Sequence, residues 1–315
     1  MYSNIIRNIF HVLNMACKLI TFLPFLFALF FLFSLSNAKF EVDTIKHLQG
    51  CHKGSKVQGL HGLKLYLTRF GYLNYQHTPN HVNEEDDEFD QKLETALKSY
   101  QNFYHLNTSG ALDGPTVSQM ILPRCGQPDK KSSHIHGKKL LHIVSRYQFF
   151  SGSPRWDKSH LTYAFGSNYP NAYVPPVVRA FNAWASASSY FTFSRVDDTA
   201  GADLKITFDS AAHGDGSDFE ENVLAHAFAP KDGRFHYNAN QKWSAGPGAV
   251  AGAFDLETVA VHEIGHLLGL GHSEDQNAVM FSGIPSGVVK VLNTDDIQGI
   301  KALYGLNKFI CTTCT

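Results

Sequence analysis

The stretch Val261-His262-Glu263-Ile264-Gly265-His266-Leu267-Leu268-Gly269-Leu270-Gly271-His272-Ser273 constrains this chain more than any other feature. On a helix turning about 100° per residue, side chains four apart lie one turn apart on the same face. His262 and His266 can therefore share one Zn²⁺, with Glu263 beside them as a general base. Gly269 can take φ > 0, which ends the helix and returns the chain so that His272 offers a third imidazole. Three protein ligands leave a fourth position open, as a catalytic zinc requires. The five-residue HExxH pattern recurs by chance; Gly269 and His272 at these offsets make the longer pattern specific.

A chain of 315 residues has room for two modest domains after a leader. Its net charge of −1 argues against a nucleic-acid binder driven by phosphate neutralisation. The five cysteines, Cys17, Cys51, Cys125, Cys311 and Cys314, form neither a CxxC…CxxC zinc framework nor a dense disulfide scaffold. Arg7 and Lys18 precede a nearly unbroken Leu/Phe run over 19–35, and Ser36-Asn37-Ala38 places small residues at −3 and −1. This pattern predicts a signal peptide over 1–38, removed together with Cys17. A retained anchor competes, because the run is near the lower limit for crossing a bilayer. The small-residue site favours cleavage, and no second apolar run suggests a tail anchor. The mature protein is expected to be secreted, soluble, monomeric and without a stable membrane anchor.

Residues 39–129 read as a helical domain. Leu60, Leu63, Leu67 and Phe70 make a helix-period stripe within 47–71; Phe89, Leu93, Ala96, Leu97, Tyr100 and Phe103 mark a second helix. Leu112-Asp113-Gly114-Pro115-Thr116 opens a third, with Val117, Met120 and Ile121 apolar. The acidic segment 78–90 reads as a solvated connection. Asn107-Thr108-Ser109 is a glycosylation sequon. The domain runs into Pro123-Arg124-Cys125-Gly126-Gln127-Pro128-Asp129. A cysteine between two prolines in an extended segment can be a surface thiol or a disulfide partner of Cys51. With a zinc motif downstream, its thiolate can instead fill the open metal position. Arg124 and Asp129 can pair across the turn.

Residues 130–139 are basic, His-rich and without apolar pattern, and 130–146 reads as a linker and processing region. Beyond it, over 147–306, lie a strand at 161–165, a helix at 175–187, strands at 191–195 and 204–208, and the zinc helix. That order predicts an α+β domain, a mixed sheet packed against helices. His213, Asp215, His226 and His236, spread over loop and strands, can form a closed four-ligand zinc site, although scattered histidines are more often surface or core residues. Cys311 and Cys314 lie in a short tail, 307–315.

Pro123 to Asp129 resembles the cysteine-switch motif of matrix metalloproteinases, and His262 to Ser273 is similar to their zinc motif. The resemblance spans about Leu48 to Gly305, and Gly50-Cys51 with the Leu63 to Tyr72 run resembles plant-type matrixins in particular. It implies a zincin-like catalytic domain behind a small three-helix prodomain, without a hemopexin-like domain. It implies a zinc endopeptidase made as a latent zymogen, with Cys125 on the catalytic zinc until an activating protease cuts. It further implies a structural zinc at His213, Asp215, His226 and His236, and an edge strand at Leu224 and Ala225 that aligns extracellular protein or peptide substrates. Met280 corresponds to the Met-turn, and Asp295 and Asp296 to the support of the site floor. Calcium at Asp203 is implied too, but Phe219-Glu220-Glu221, Asn238 and Gln241 stand where the family carries its other calcium ligands, and Ser282 stands for the family's proline. Location outside a plant cell, in the apoplast, follows from the same resemblance. Two other readings compete: a secreted zinc-binding decoy without activity, and a cell-wall-binding module over 47–121.

Overall fold

The computed structural model describes residues 41–75, 86–130 and 146–306. The expected signal peptide, most of the linker, and the tail with Cys311 and Cys314 lie outside them.

The N-terminal part is four helices, α1 (Val42–His47), α2 (Leu60–Arg69), α3 (Gln91–Phe103) and α4 (Gly114–Met120). The expected apolar stripes bury together: Leu60, Leu63, Leu67, Phe70, Leu93, Leu97, Tyr100, Phe103, Val117 and Met120 share one core. The helix expected within 47–71 starts only at Leu60, because Gly50, Gly54 and Gly59 all take positive φ and break the chain before it. Asp90 and Asp113 cap α3 and α4 by accepting from Leu93 N and Thr116 N. Part of the acidic connection is built in rather than solvated. Asp87 Oδ1 accepts from Gly59 N and His61 N at the start of α2, and Asp86 pairs with the fully buried Lys64 at 2.6 Å.

The remainder is a mixed sheet with helices on it. Its strands are β1 (Arg124–Cys125), β2 (His160–Phe165), β3 (Thr192–Arg195), β4 (Leu204–Asp209), β5 (Val223–Ala227) and β6 (Arg234–Asn238), in spatial order β1-β5-β6-β4-β2-β3. Only β5 and β6 run antiparallel; β7 (Trp243–Ser244) and β8 (Phe254–Asp255) pair separately. Helix α5 (Val174–Ser188) packs against α6 (Leu256–Leu267), and α7 (Thr294–Leu303) closes the described chain. Val177, Phe181 and Trp184 of α5 join Leu204, Ile206, Phe235 and Tyr237 of the sheet and Val259 and Ile264 of α6 in a second core. Asn293 caps α7: its side chain accepts from Asp295 N and Asp296 N while Asp296 accepts from Asn293 N, a reciprocal box.

A candidate zinc centre closed by an N-terminal cysteine

Helix α6 carries the motif. Asp255 caps it by accepting from Thr258 N at 2.8 Å, and its last carbonyls are taken by Trp156 Nε1 on Leu267 O and Tyr304 OH on Leu268 O. Gly265 has a packing reason: a Cβ there would collide with Met280 Sδ, so the residue after the Met-turn valine lies directly against the helix. Gly269 has φ +105° and turns the chain back towards His272.

His262, His266, His272, Glu263 and Cys125 are all buried. Each imidazole is oriented from Nδ1: His262 to Val279 O at 2.7 Å, His266 to Leu270 O at 2.8 Å and His272 to Asp129 Oδ1 at 2.7 Å. Donation from Nδ1 leaves each Nε2 a lone-pair acceptor, and these acceptors converge. His266 Nε2 lies 3.2 Å from His272 Nε2 and 3.4 Å from Cys125 Sγ. His262 Nε2 is buried without a hydrogen-bond partner. Ligands about 2.0–2.3 Å from a tetrahedral zinc sit roughly 3.3–3.6 Å apart, so the residues fit that metal. Without a cation, acceptors so placed repel. Burial, with His272 beside it, holds His262 well below the ordinary imidazole range, and burial likewise lowers His272. Burial and Glu263 push the Cys125 thiol well above its usual value, a balance that a dication would invert. Glu263 is pushed up to about 8 by burial, and neither carboxylate oxygen has a hydrogen-bond partner among the described residues.

Cys125 arrives on β1, which lies parallel to β5 with Arg124 opposite Val223 and Cys125 opposite Ala225. Cys125 N donates to Ser282 O at 2.9 Å and Ile284 N to Pro123 O at 2.9 Å, so the segment fills the groove between β5 and residues 282–284. Leu224 and Ala225 are fully buried beneath it. Cys51 sits in the N-terminal core and both cysteines are free, which removes the disulfide alternative. Arg124 and Asp129 do pair, at 2.7 Å, but in the interior rather than on the surface. Burial would raise Asp129; Arg124 and His272 outweigh it and hold the carboxyl well below the usual range. The contacts of Asp129 with His272 and of Tyr104 with Ser282 Oγ, 2.8 Å, had no counterpart in the sequence reading.

The floor is tied by the acidic pair of α7. Asp296 accepts from Val279 N and Met280 N, and Asp295 from Ser273 Oγ at 2.7 Å and from Arg146 N and Tyr147 N.

A second cluster brings together His213, Asp215, His226 and His236. His213 Nε2 lies 3.3 Å from His226 Nε2; Asp215 Oδ2 is 3.0 Å from the first and 2.7 Å from the second. His236 offers an unpartnered Nε2 at 3.7 Å, its Nδ1 engaged by Asp209 at 2.8 Å. Burial lowers His226 to about 4. Burial would raise Asp215, but the Ser217 N–H and His226 hold it at about 2. Imidazole nitrogens around an ionised carboxylate suit zinc. Asp203 belongs to neither cluster; its carboxylate pairs with Lys158 at 2.7 Å and accepts from Thr162 N. Asn238 and Gln241 donate their amides to backbone carbonyls, Glu220 pairs with Arg69 of α2, and Glu221 accepts from Val42 N. Asn107 is exposed.

A Met-floored helix with three converging imidazoles and an adjacent buried glutamate defines a zinc metalloendopeptidase. The family model Matrixin matches residues 155–305, and a peptidoglycan binding domain model matches 58–120. Metalloendoproteinase 2-MMP of Arabidopsis thaliana is 40% identical over 291 residues, 84% of this chain and 75% of that protein. Metalloendoproteinase 1 of Glycine max is 41% identical over 267 residues, 81% and 85% of the two chains. Matrix metalloproteinase-20 of Homo sapiens is 36% identical over 225 residues, 67% of this chain and 42% of that protein. The chain belongs to the matrixin family.

Proposed function

We propose that this zinc-dependent endopeptidase is made as a secreted zymogen whose residues 39–129 close its own active site. His262, His266 and His272 hold the catalytic zinc, Cys125 is its fourth ligand in the latent form, and Glu263 is the general base. The observation that supports this most is the meeting of Cys125 Sγ with the Nε2 atoms of α6 and His272 in one buried centre. Zinc held there would act as a Lewis acid on the scissile carbonyl and acidify water at its open position. Glu263 takes the proton and returns it to the leaving amine. Substrate lies antiparallel along Leu224 and Ala225, in the groove that Pro123 to Gln127 fill, using backbone pairing for alignment.

An activating protease cuts within 130–146, and 147–306 is the mature catalytic domain. A new amino terminus near Arg146 would lie beside Asp295, which already accepts from the backbone there. His213, Asp215, His226 and His236 hold a second zinc that ties loop to sheet. Calcium at Asp203 has to displace Lys158. The signal peptide over 1–38, glycosylation at Asn107 and a monomeric, unanchored apoplastic enzyme complete the reading. The peptidoglycan-type match over 58–120 falls on helices that pack onto the site, which favours a prodomain over a free cell-wall module.

The test is Glu263→Ala in activated protein. It should keep its zinc and lose at least about 100-fold in cleavage of a quenched-fluorescent peptide. Turnover at the wild-type rate overturns the assignment.

A further inference from the structure

The three imidazoles of the centre are not braced alike. His262 and His266 donate from Nδ1 to backbone carbonyls of their own part of the chain, Val279 O and Leu270 O. His272 donates instead to a carboxylate 143 residues upstream, Asp129 Oδ1 at 2.7 Å, and both side chains are fully buried. Asp129 is saturated with donors. Oδ1 also accepts from Arg124 Nη2 at 2.7 Å, and Oδ2 from the hydroxyls of Tyr72 and Tyr104, both at 2.8 Å, and from Arg124 Nη1 at 3.2 Å. With its proton on Asp129, the Tyr104 oxygen accepts from Ser282 Oγ at 2.8 Å, which hitches the carboxylate to the far wall of the groove.

We propose that Asp129 is a positioning residue for the third zinc ligand, so the propeptide supplies two groups to the centre, a thiolate and the outer partner of His272. This rests on the zymogen reading above. A histidine that gives its second N–H to a carboxylate is fixed in tautomer and ring orientation, and it binds metal as a stronger base than one hydrogen-bonded to an amide carbonyl. Departure of the propeptide then removes the fourth ligand and unbraces the third in one event. The latent centre holds its zinc more firmly than the thiolate alone explains.

The experiment uses the full chain carrying Glu263→Gln, so that it cannot process itself, loaded with zinc. Loss of zinc to an excess of chelating dye is followed in this chain and in three further versions. Asp129→Ala should release it at least about tenfold faster, the lower end of what outer-partner removal costs. Arg124→Gln, which leaves the His272 contact in place, should stay within about threefold. Equal acceleration by the two variants assigns the effect to docking of the loop and overturns the proposal, as does an unchanged rate in Asp129→Ala. Cys125→Ser released at the unmodified rate would instead sink the zymogen reading, which keeps the two failures apart. A fourth version, ¹⁵N-histidine-labelled, needs no change at Asp129. It should show a slowly exchanging His272 Nδ1–H that disappears once the residues before Arg146 are removed. Persistence of that proton in the mature chain contradicts the proposal.

Discussion

Two clusters of four side chains that could hold a metal lie in one sheet-and-helix framework, and they differ in where the chain supplies the fourth. His213, Asp215, His226 and His236 all come from residues 213–236, on one loop and two adjacent strands. Cys125, His262, His266 and His272 combine a helix, the turn after it and a short strand from the N-terminal part. A centre closed by its own neighbourhood can only stabilise; a centre closed by a removable segment can be opened for chemistry. On the reading proposed above, the same count of candidate ligands serves two roles, and chain connectivity separates them.

The largest effects should test that separation directly. His266→Ala in the activated protein should abolish measurable peptide cleavage with a modest change in thermal midpoint. His226→Ala should do the reverse first, lowering the midpoint by about 10 °C, because a metal that binds only the folded state contributes its binding energy to folding. If His226→Ala left the midpoint in place, the second cluster would not be a structural centre. Next in size is Gly265→Ala, which forces a methyl against Met280 and Trp184 and should cost about 1–3 kcal/mol in chemical denaturation. A neutral result would mean that the Met-turn is free to retreat from α6. The smallest is Ser282→Ala. It removes one buried hydrogen bond to Tyr104 and should weaken docking of the N-terminal helices by about 1 kcal/mol, read as faster thiol labelling of Cys125 in the intact chain. Unchanged labelling would show that the far-wall hitch contributes nothing to closure.

How legible each part was follows from how local its physics is. The apolar stripe Leu60, Leu63, Leu67 and Phe70, the φ of Gly269 and the facing of His262 and His266 depend on helical period and backbone sterics, and all could be read from spacing. Boundaries were less legible: three positive-φ glycines delay α2 to Leu60, and α7 is capped by Asn293, which reaches two N–H groups at once. The acidic connection misled because Asp87 serves a helix start formed far earlier in the chain. Least legible were contacts that exist only once the N-terminal helices dock. Asp129 read as a partner for Arg124 alone, yet it also meets His272. Phe281, beside the Met-turn, packs in the N-terminal core against Tyr104, and Glu220, aligned with a family calcium loop, pairs with Arg69. No periodicity encodes a contact between segments more than a hundred residues apart.

The most direct measurement compares uncut wild-type chain with uncut Cys125→Ser chain on a quenched-fluorescent peptide, with chain length checked at each time point. If Cys125 is what closes the zinc centre, the wild type stays silent until it is cut, while Cys125→Ser cleaves peptide as the intact chain and then shortens itself. An intact Cys125→Ser chain as silent as the wild type would contradict closure by this thiol.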